Sequence, residues 1–250
     1  MRKQGLTCAA FLLSVASLGW AQSGPDRVCE INVTTPKAGA AKQFEGARKK
    51  HNEFHRAEKD QDAIMVWSIT TGPATGSYLT AVCGMTWKDM DGKDAFDARD
   101  EADRQVTLSP AIASNEASYY VFRPELSSSA DPATPARMMT VVHYFVKPSG
   151  IVQFTDSIKR INVAIAKTKY PSKPWRVYSL VSGGVGPHFV LVTDRGSWAD
   201  MQGPEQTMMD MLKQAYGNDD KTLQNLRDTI DHTMSELMEF RGDLSYLPAK

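Results

Sequence analysis

Two histidines on predicted strands are the residues best placed to do chemistry. His143 lies in the middle of one apolar strand, and His188 begins another. An imidazole has a free pKa near ~6.5, so a histidine that faces a cavity could act as a general base or as a haem ligand. A hydrogen-bonded structural histidine is the more common alternative. The sequence leaves the face of His143 open, because a one-residue change in alignment reverses it.

A second pair of histidines has helical spacing. His51 and His55 are four residues apart, which places both on one face of a helix, where a metal ion could bridge them. A zinc protease motif needs Glu directly after the first histidine, but Glu53 comes one position later. A metal site also needs a third ligand, which the sequence does not identify. We therefore interpret the pair as a solvated polar face and predict no metal site.

Two arginines occur in a repeated motif. The segment FRPELS at 122–127 returns as FRGDLS at 240–245. Arg123 and Arg241 could together hold a carboxylate or another anion at the mouth of a cavity. Alternatively, each could form a salt bridge with a nearby acid, such as Glu125 or Asp243, and fix the end of its strand. We favour the structural role, because the motif is retained together with the anchors of the fold.

Aromatic residues also recur at matching positions. Trp67 and Tyr178 open the segments WSITTG at 67–72 and YSLVSG at 178–183. Large rings usually pack in a core. If these two rings face the other half of the protein, they could instead line a ligand cavity.

These matches belong to one internal duplication. The WSITTG segments are about 111 residues apart, and WKDM at 87–90 returns as WADM at 198–201 in the same order. A fixed internal period indicates that one structural unit is repeated. We predict a first repeat at 22–126, a linker at 127–137 and a second repeat at 138–250.

Each half has the pattern β-α-β-β-α-β. The first half alternates apolar and polar residues at 28–34 and shows helical spacing from about 40 to 58. Strands are predicted at 63–70, 78–83 and 119–123, with a charged helix at 93–106. The second half has strands at 139–146, 175–181 and 189–193, helical patterns at 151–165, 204–215 and 222–238, and a closing strand from 239.

This order is the ferredoxin-like split motif, an antiparallel sheet with both helices on one face. The bare face of each sheet must be covered, and two copies can cover each other. The predicted fold class is therefore α+β, with two tandem ferredoxin-like repeats packed sheet to sheet as a pseudo-dimeric α/β barrel.

In this arrangement the chain resembles the dimeric α/β-barrel superfamily in a fused, two-repeat form, over residues 27–247. The superfamily includes cofactor-free monooxygenases, NIPSNAP-like and stress-responsive proteins, and haem proteins of the chlorite dismutase type. The resemblance implies a ligand cavity between the sheets.

We predict a small-molecule-binding protein. One alternative is a cofactor-free monooxygenase or a haem-dependent oxidoreductase that uses His143 or His188, and another is a non-catalytic structural or interaction module. The sequence does not decide whether the protein is an enzyme. We predict no cofactor, and the sequence leaves the binding of haem undecided.

Charge and the amino terminus limit the partners. The chain has 29 basic and 29 acidic residues, so it has no basic surface for nucleic acid or an anionic membrane. Residues 1–21 read as an export signal, with Arg2 and Lys3 before an apolar stretch and a small-residue cleavage site. We expect a periplasmic or secreted protein, free of the membrane after cleavage, as a monomer or homodimer.

Two cysteines remain after the predicted cleavage. An oxidising compartment permits Cys29 and Cys83 to pair. In the split motif their strands are neighbours, and both residues lie at the same end of the sheet. A bond would close a loop of 54 residues, worth about 4 kcal/mol. Two separate buried thiols are the alternative, and the sequence leaves both open.

Overall fold

The computed structural model describes residues 26–92, 94–130 and 135–248. The predicted export signal and part of the predicted linker lie outside the described residues. The described chain forms eight strands: β1 (Val28–Pro36), β2 (Ile64–Ile69), β3 (Tyr78–Met85), β4 (Ile112–Phe122), β5 (Met138–Val146), β6 (Trp175–Ser182), β7 (His188–Arg195) and β8 (Ile230–Phe240). Its α-helices are α1 (Ala41–Glu58), α2 (Trp87–Met90), α3 (Asp94–Thr107), α4 (Ile151–Thr168), α5 (Met208–Tyr216) and α6 (Thr222–Thr229).

The strands form one closed antiparallel barrel in the order β1-β3-β2-β8-β5-β7-β6-β4. Each half contributes four neighbouring strands, and the halves join where β2 pairs with β8 and where β4 pairs with β6. Closure leaves no sheet edge exposed along this ring. The predicted α+β architecture of two ferredoxin-like repeats is therefore confirmed.

The first helix of each half shows which residues of the two repeats correspond. α1 and α4 both have 18 residues, and each ends at a lysine in the left-handed region, Lys59 and Lys169. Residues 110 positions apart therefore correspond in these helices. The first strands keep the same offset, since β1 pairs with β4 from Val28 to Pro36 just as β5 pairs with β8 from Met138 to Val146.

Alternate side chains along each strand point to opposite faces of the sheet. Those on the inner face pack inside the barrel, and those on the outer face pack against the helices. Trp67 and Ile69 of the first half pack inside the barrel with Met139, Val141 and other second-half residues. The opposite face of the second-half sheet packs against α4 and α5 through an apolar cluster that includes Phe154, Ile158 and Ile161. Both faces of the sheet are therefore covered, as the fold requires.

The repeated FR-x-x-LS motif forms a reciprocal clip between the halves. Ser127 Oγ accepts a hydrogen bond from Val177 N, and Ser245 Oγ accepts one from Val66 N, each at 2.8–2.9 Å. Both serines also bond the carbonyl of the arginine four residues earlier. Because each serine reaches into the other half, the clip has the two-fold symmetry of the duplication.

The helical pattern predicted at 222–238 is wrong beyond Thr229. The chain there becomes β8, which pairs with β5 along its whole length. Met234, Leu237 and Met238 favour helices in isolation, but pairing with neighbouring strands overrides that preference. The matching strand of the first half, β4, likewise begins at Ile112 instead of 119.

A disulfide joins Cys29 and Cys83, which are partners across β1 and β3. The structure thus selects the bonded alternative for these cysteines. None of the described helices has both the length and the hydropathy needed to cross a lipid bilayer.

Candidate functional site

The two histidines predicted as chemical residues meet inside the barrel. His143 Nδ1 lies 3.0 Å from His188 Nε2, and His188 Nδ1 lies 3.3 Å from the hydroxyl of Tyr120. His143 Nε2 lies 3.5 Å from a carboxylate oxygen of Glu236. Burial, reinforced by His143 and His232, lowers the pKa of His188 to about 4. Burial therefore keeps His188 neutral at ordinary pH.

The barrel interior around these histidines is densely packed. Phe145 stacks on His188 at a ring distance of 4.4 Å. Trp67 contacts Phe240 and Tyr178 contacts Phe122, each at 5.5 Å between ring centres. Protein side chains therefore occupy the space between the sheets, and a ligand role for Trp67 and Tyr178 stays a prediction.

The two repeated arginines are held by carboxylates. Arg123 Nε donates to Glu125 at 2.8 Å, and Arg241 Nε donates to Asp243 at 2.9 Å. Arg241 also pairs with Glu45 of α1. These contacts are the salt bridges expected if the two arginines have a structural role. An anion-binding role for them stays a prediction.

A polar cavity of about 210 Å³ lies on the other side of the first-half sheet, beneath α1 and α3. Its floor is a ladder of hydrogen bonds that runs from Thr34 through Asn115 and Asn32 to Glu30. Its walls include side chains of both helices, notably Arg48, His51, His55, Asp100 and Arg104.

His51 and His55 point into this cavity and are buried, so their prediction as a solvated face is wrong. Their exposed fractions are 1% and 4%. His51 Nδ1 lies 2.7 Å from Asp103 Oδ2, and His55 Nδ1 lies 2.9 Å from Asp60 Oδ2. A carboxylate accepts, so each ring donates from Nδ1, and the Nε2 atom of a neutral ring then carries a free lone pair. Burial is the main cause of a lowered pKa at His55, and the neighbouring His51 is the next largest cause. Both favour the neutral ring.

Asp100 of α3 completes a triangle with the two rings. Its Oδ1 lies 3.2 Å from His51 Nε2 and 3.5 Å from His55 Nε2, and the two Nε2 atoms are 3.2 Å apart. These three atoms form a group with the donors and spacing suited to a metal ion. Asp100 Oδ1 is buried and makes no well-formed hydrogen bond within the described structure.

Arg48 adds a buried cation to the same cavity. It is 6% exposed, and its Nε reaches the carbonyl of Leu244 at a long 3.4 Å. Its Nη2 is buried and has no hydrogen-bond partner in the described part of the chain. Burial lowers the pKa of Arg48 to about 10, although the charge of Asp100 opposes that change.

The second half fills the corresponding space with apolar side chains. Ile158, Ile161 and Ile165 of α4 occupy the positions of Arg48, His51 and His55 in α1. They pack with Tyr144 and Phe154 in an apolar core. The fold therefore does not require polar residues at these positions.

Sequence reasoning found part of this site and missed the rest. The histidine spacing was visible, but Asp100 comes from a helix that lies next to α1 only in the folded protein. The signal available in the sequence was the spacing of Asp100 and Asp103, which are one helical turn apart in a charged helix. Arg48 could have been found by aligning it with Ile158.

A second depression lies on the outer surface between α4 and α6. It is wide and open, and its main cation, Arg160, is already engaged. Arg160 pairs with Asp220 at 2.8 Å and lies 3.6 Å from the ring centre of Tyr216. The cavity of the first half is the more enclosed of the two and is the stronger candidate site.

Comparison with known proteins shows the fold. No protein-family model matches the sequence, and no curated protein matches it. An anthrone oxidase-like protein aligns over 91% of this chain and 95% of its own, with a TM-score of 0.56 and 12% identity.

Two further structures align at a TM-score of 0.52. One is a proposed monooxygenase from Lactobacillus acidophilus, with 8% identity over 90% of this chain and 97% of that protein. The other is a mutant chlorite dismutase from Candidatus Nitrospira defluvii, with 10% identity over 85% and 91%. The chain shares the dimeric α/β-barrel fold with these proteins.

Proposed function

We propose that this is an exported protein that binds a small polar molecule in the cavity between the first-half sheet and helices α1 and α3. This moves the binding site from the barrel interior, where the resemblance placed it, to the outer face of one sheet. The observation that carries the proposal is the asymmetry between the repeats. Arg48, His51 and His55 are buried where the second half has isoleucines.

Burying charged and polar groups costs free energy unless they are fully paired. The isoleucines of α4 show that the same helix packs well on the same kind of sheet without such groups. Selection for stability alone would favour the apolar version. A binding function accounts for the retention of a buried cation with an unsatisfied donor.

Size and chemistry restrict the ligand. A volume of about 210 Å³ corresponds to roughly seven water molecules at about 30 Å³ each. The free Nη2 of Arg48 is a donor for an anionic or carbonyl oxygen. A short carboxylic acid or a molecule of similar polarity fits both conditions.

Haem, the cofactor alternative, does not fit this cavity as it stands. The volume of about 210 Å³ is below even the range of about 300–1,000 Å³ that is common for drug-sized ligands. The barrel histidines are engaged with each other and stacked against Phe145. Absorption in the Soret region of the purified protein tests the haem alternative directly.

Export is supported by the disulfide between Cys29 and Cys83, since such bonds persist in oxidising compartments. A monomer is the simpler assembly, because the two repeats already close the barrel that dimers of single-repeat proteins would form between chains. Fractionation of cells and light scattering of the mature protein test these two points.

The test of binding is a thermal-shift series with acetate, glycolate and benzoate on the mature protein. We expect at least one carboxylate to raise the melting temperature, by roughly 5–10 °C at 100 times its Kd. Arg48→Ile should abolish the shift, and it should fold because Ile158 is the natural residue at the matching position. Acetamide and glycolamide control for the charge of the probe.

Arg123→Met is the matched control, because it removes an arginine at the other predicted anion site. The proposal expects this variant to keep the carboxylate shift. A shift that disappears in Arg123→Met but survives in Arg48→Ile would place binding at the repeated arginines instead. Equal shifts in all three proteins, or none in the wild type, would also overturn the proposal.

One observation favours a second candidate function, an enzyme that uses the barrel histidines. Tyr120, His188 and His143 form a row of hydrogen-bond contacts along which a proton could move, and Glu236 lies 3.5 Å beyond His143 Nε2. Phe145 stacks on His188 and covers one face of its ring. This candidate predicts that His188→Phe abolishes turnover while Arg48→Ile leaves it intact.

A further inference from the structure

We propose that His51, His55 and Asp100 bind one divalent transition-metal ion in the first-half cavity. This inference deepens the proposed function, since it rests on the same cavity and names an inorganic component of the site. Zinc is the probe ion chosen here, because it accepts both imidazole nitrogen and carboxylate oxygen ligands.

The orientation of the rings is the first argument. Asp103 and Asp60 fix the hydrogen of each ring on Nδ1, which leaves two Nε2 lone pairs and one carboxylate oxygen facing one another. When both rings are neutral, these three acceptors repel each other, and a cation bound between them removes the repulsion. A carboxylate behind a metal-binding histidine is also the usual arrangement around protein metal ions.

The distances agree with a shared ion. Ligand atoms about 2.0–2.2 Å from one tetrahedral ion are roughly 3.3–3.6 Å apart. The three separations in the structure are 3.2, 3.2 and 3.5 Å. Small movements of side chains would therefore complete the coordination, without rearrangement of α1 or α3.

Local charge supports a divalent ion. Asp60, Asp100 and Asp103 bring three negative charges to the cluster, and Arg48 brings one positive charge. Arg104, the other cation in the cavity wall, pairs with Glu101. The acids outnumber the cations around the cluster, which favours a bound cation because unbalanced charge is costly away from water.

The set of ligands also indicates the type of site. Structural zinc sites have four protein ligands, whereas three ligands leave a position open to water or substrate. The three side chains line the cavity, so the open position faces the space proposed for the organic ligand. Two histidines and one carboxylate also suit iron(II) with open positions.

The experiment titrates ZnCl₂ into mature protein that has been dialysed against EDTA, with calorimetry to measure affinity and stoichiometry. No carboxylate is added, so metal binding can fail while the carboxylate shifts persist, and the reverse can also occur. We expect one ion per chain, with binding at least 100-fold weaker in His51→Ile and in His55→Ile. Both variants carry the residue found at the matching position of α4, which guards against misfolding.

Two further variants test whether weaker zinc binding comes from the loss of a specific site or from a general effect of substitution. Asp103→Asn should keep the stoichiometry and weaken binding about 10–100-fold, because it removes only the partner that orients His51. His232→Ile is the control, since His232 is an exposed histidine beside Asp231. Binding of Zn²⁺ by His51→Ile with wild-type affinity, or no binding by the wild type, would overturn the inference.

Discussion

His51 lies in α1 where Ile161 lies in α4, and both side chains are almost completely buried, at 1% and 2% exposure. The two helices have the same length and the same left-handed end. The ring of His51 contacts Asp100 and Asp103, whereas Ile161 belongs to the apolar core of its half. The same position of the fold thus holds an apolar core residue in the second repeat and a residue of the polar cavity in the first.

We expect Ile161→His to destabilise the protein more than His51→Ile does. Ile161→His places an imidazole in an apolar core without the acids that α3 supplies to His51, and we expect a loss of about 2–4 kcal/mol in the free energy of unfolding. His51→Ile should change stability by less, because its neighbouring acids are partly exposed to water. Urea denaturation of both variants measures the difference, and an equal loss in both would contradict the proposed asymmetry.

Two matching asparagines should contribute equally to stability. Asn52 donates to the carbonyl of Leu244 at 2.9 Å, and Asn162 donates to that of Leu126 at 3.0 Å. Substitution by Leu removes one of two donors, since Arg48 Nε also reaches the carbonyl of Leu244 and Trp175 Nε1 that of Leu126, so we expect a cost of about 0.5–1.5 kcal/mol. Chemical denaturation of Asn52→Leu and Asn162→Leu should give similar losses. A loss in only one variant would show that this asparagine contact differs between the halves.

Removal of the disulfide should destabilise the protein without unfolding it. The bond between Cys29 and Cys83 closes a loop of 54 residues, which corresponds to about 4 kcal/mol if the bond acts through the entropy of the unfolded chain. We expect the double variant Cys29→Ser/Cys83→Ser to lose about 2–4 kcal/mol in guanidinium denaturation. Wild-type stability in the double variant, measured under non-reducing conditions, would contradict this.

Acid should destabilise the barrel through His188. Its pKa is about 4 in the folded protein, against about 6.5 when unfolded. Above pH ~6.5 the ring is neutral in both states, so stability is at its full value. As the pH falls towards 4, the unfolded state binds the proton first, and up to about 3 kcal/mol is lost.

His188→Phe should flatten this part of the stability profile between pH 6.5 and 4. The groups facing the ring are His143, Tyr120 and His232, and Glu236 lies behind His143. His232→Phe should flatten the profile less, because it removes only one of the causes that lower the pKa of His188. An unchanged acid slope in His188→Phe would show that another group controls it.

The duplication made most of the fold predictable from the sequence. Matching segments fixed two similar halves, and the split motif then required their sheets to cover each other. The error at β8 arose because Met234, Glu236 and Leu237 favour a helix locally, whereas their conformation is set by pairing with β5. That pairing is a property of the assembled barrel.

The site was less predictable, because it depends on contacts between elements distant in the sequence. The pattern of α1 alone does not show whether His51 and His55 face water or a second helix. Asp100 supplies the missing ligand from α3. Conversely, the strand histidines predicted for chemistry, His143 and His188, do meet, but inside a packed core.

The most direct test of the account is anomalous diffraction at the zinc edge from crystals of the mature protein grown with Zn²⁺. We expect one peak in the first-half cavity, about 2.0–2.2 Å from His51 Nε2, His55 Nε2 and an oxygen of Asp100. An empty cavity under these conditions, or a peak between His143 and His188 inside the barrel, would contradict it.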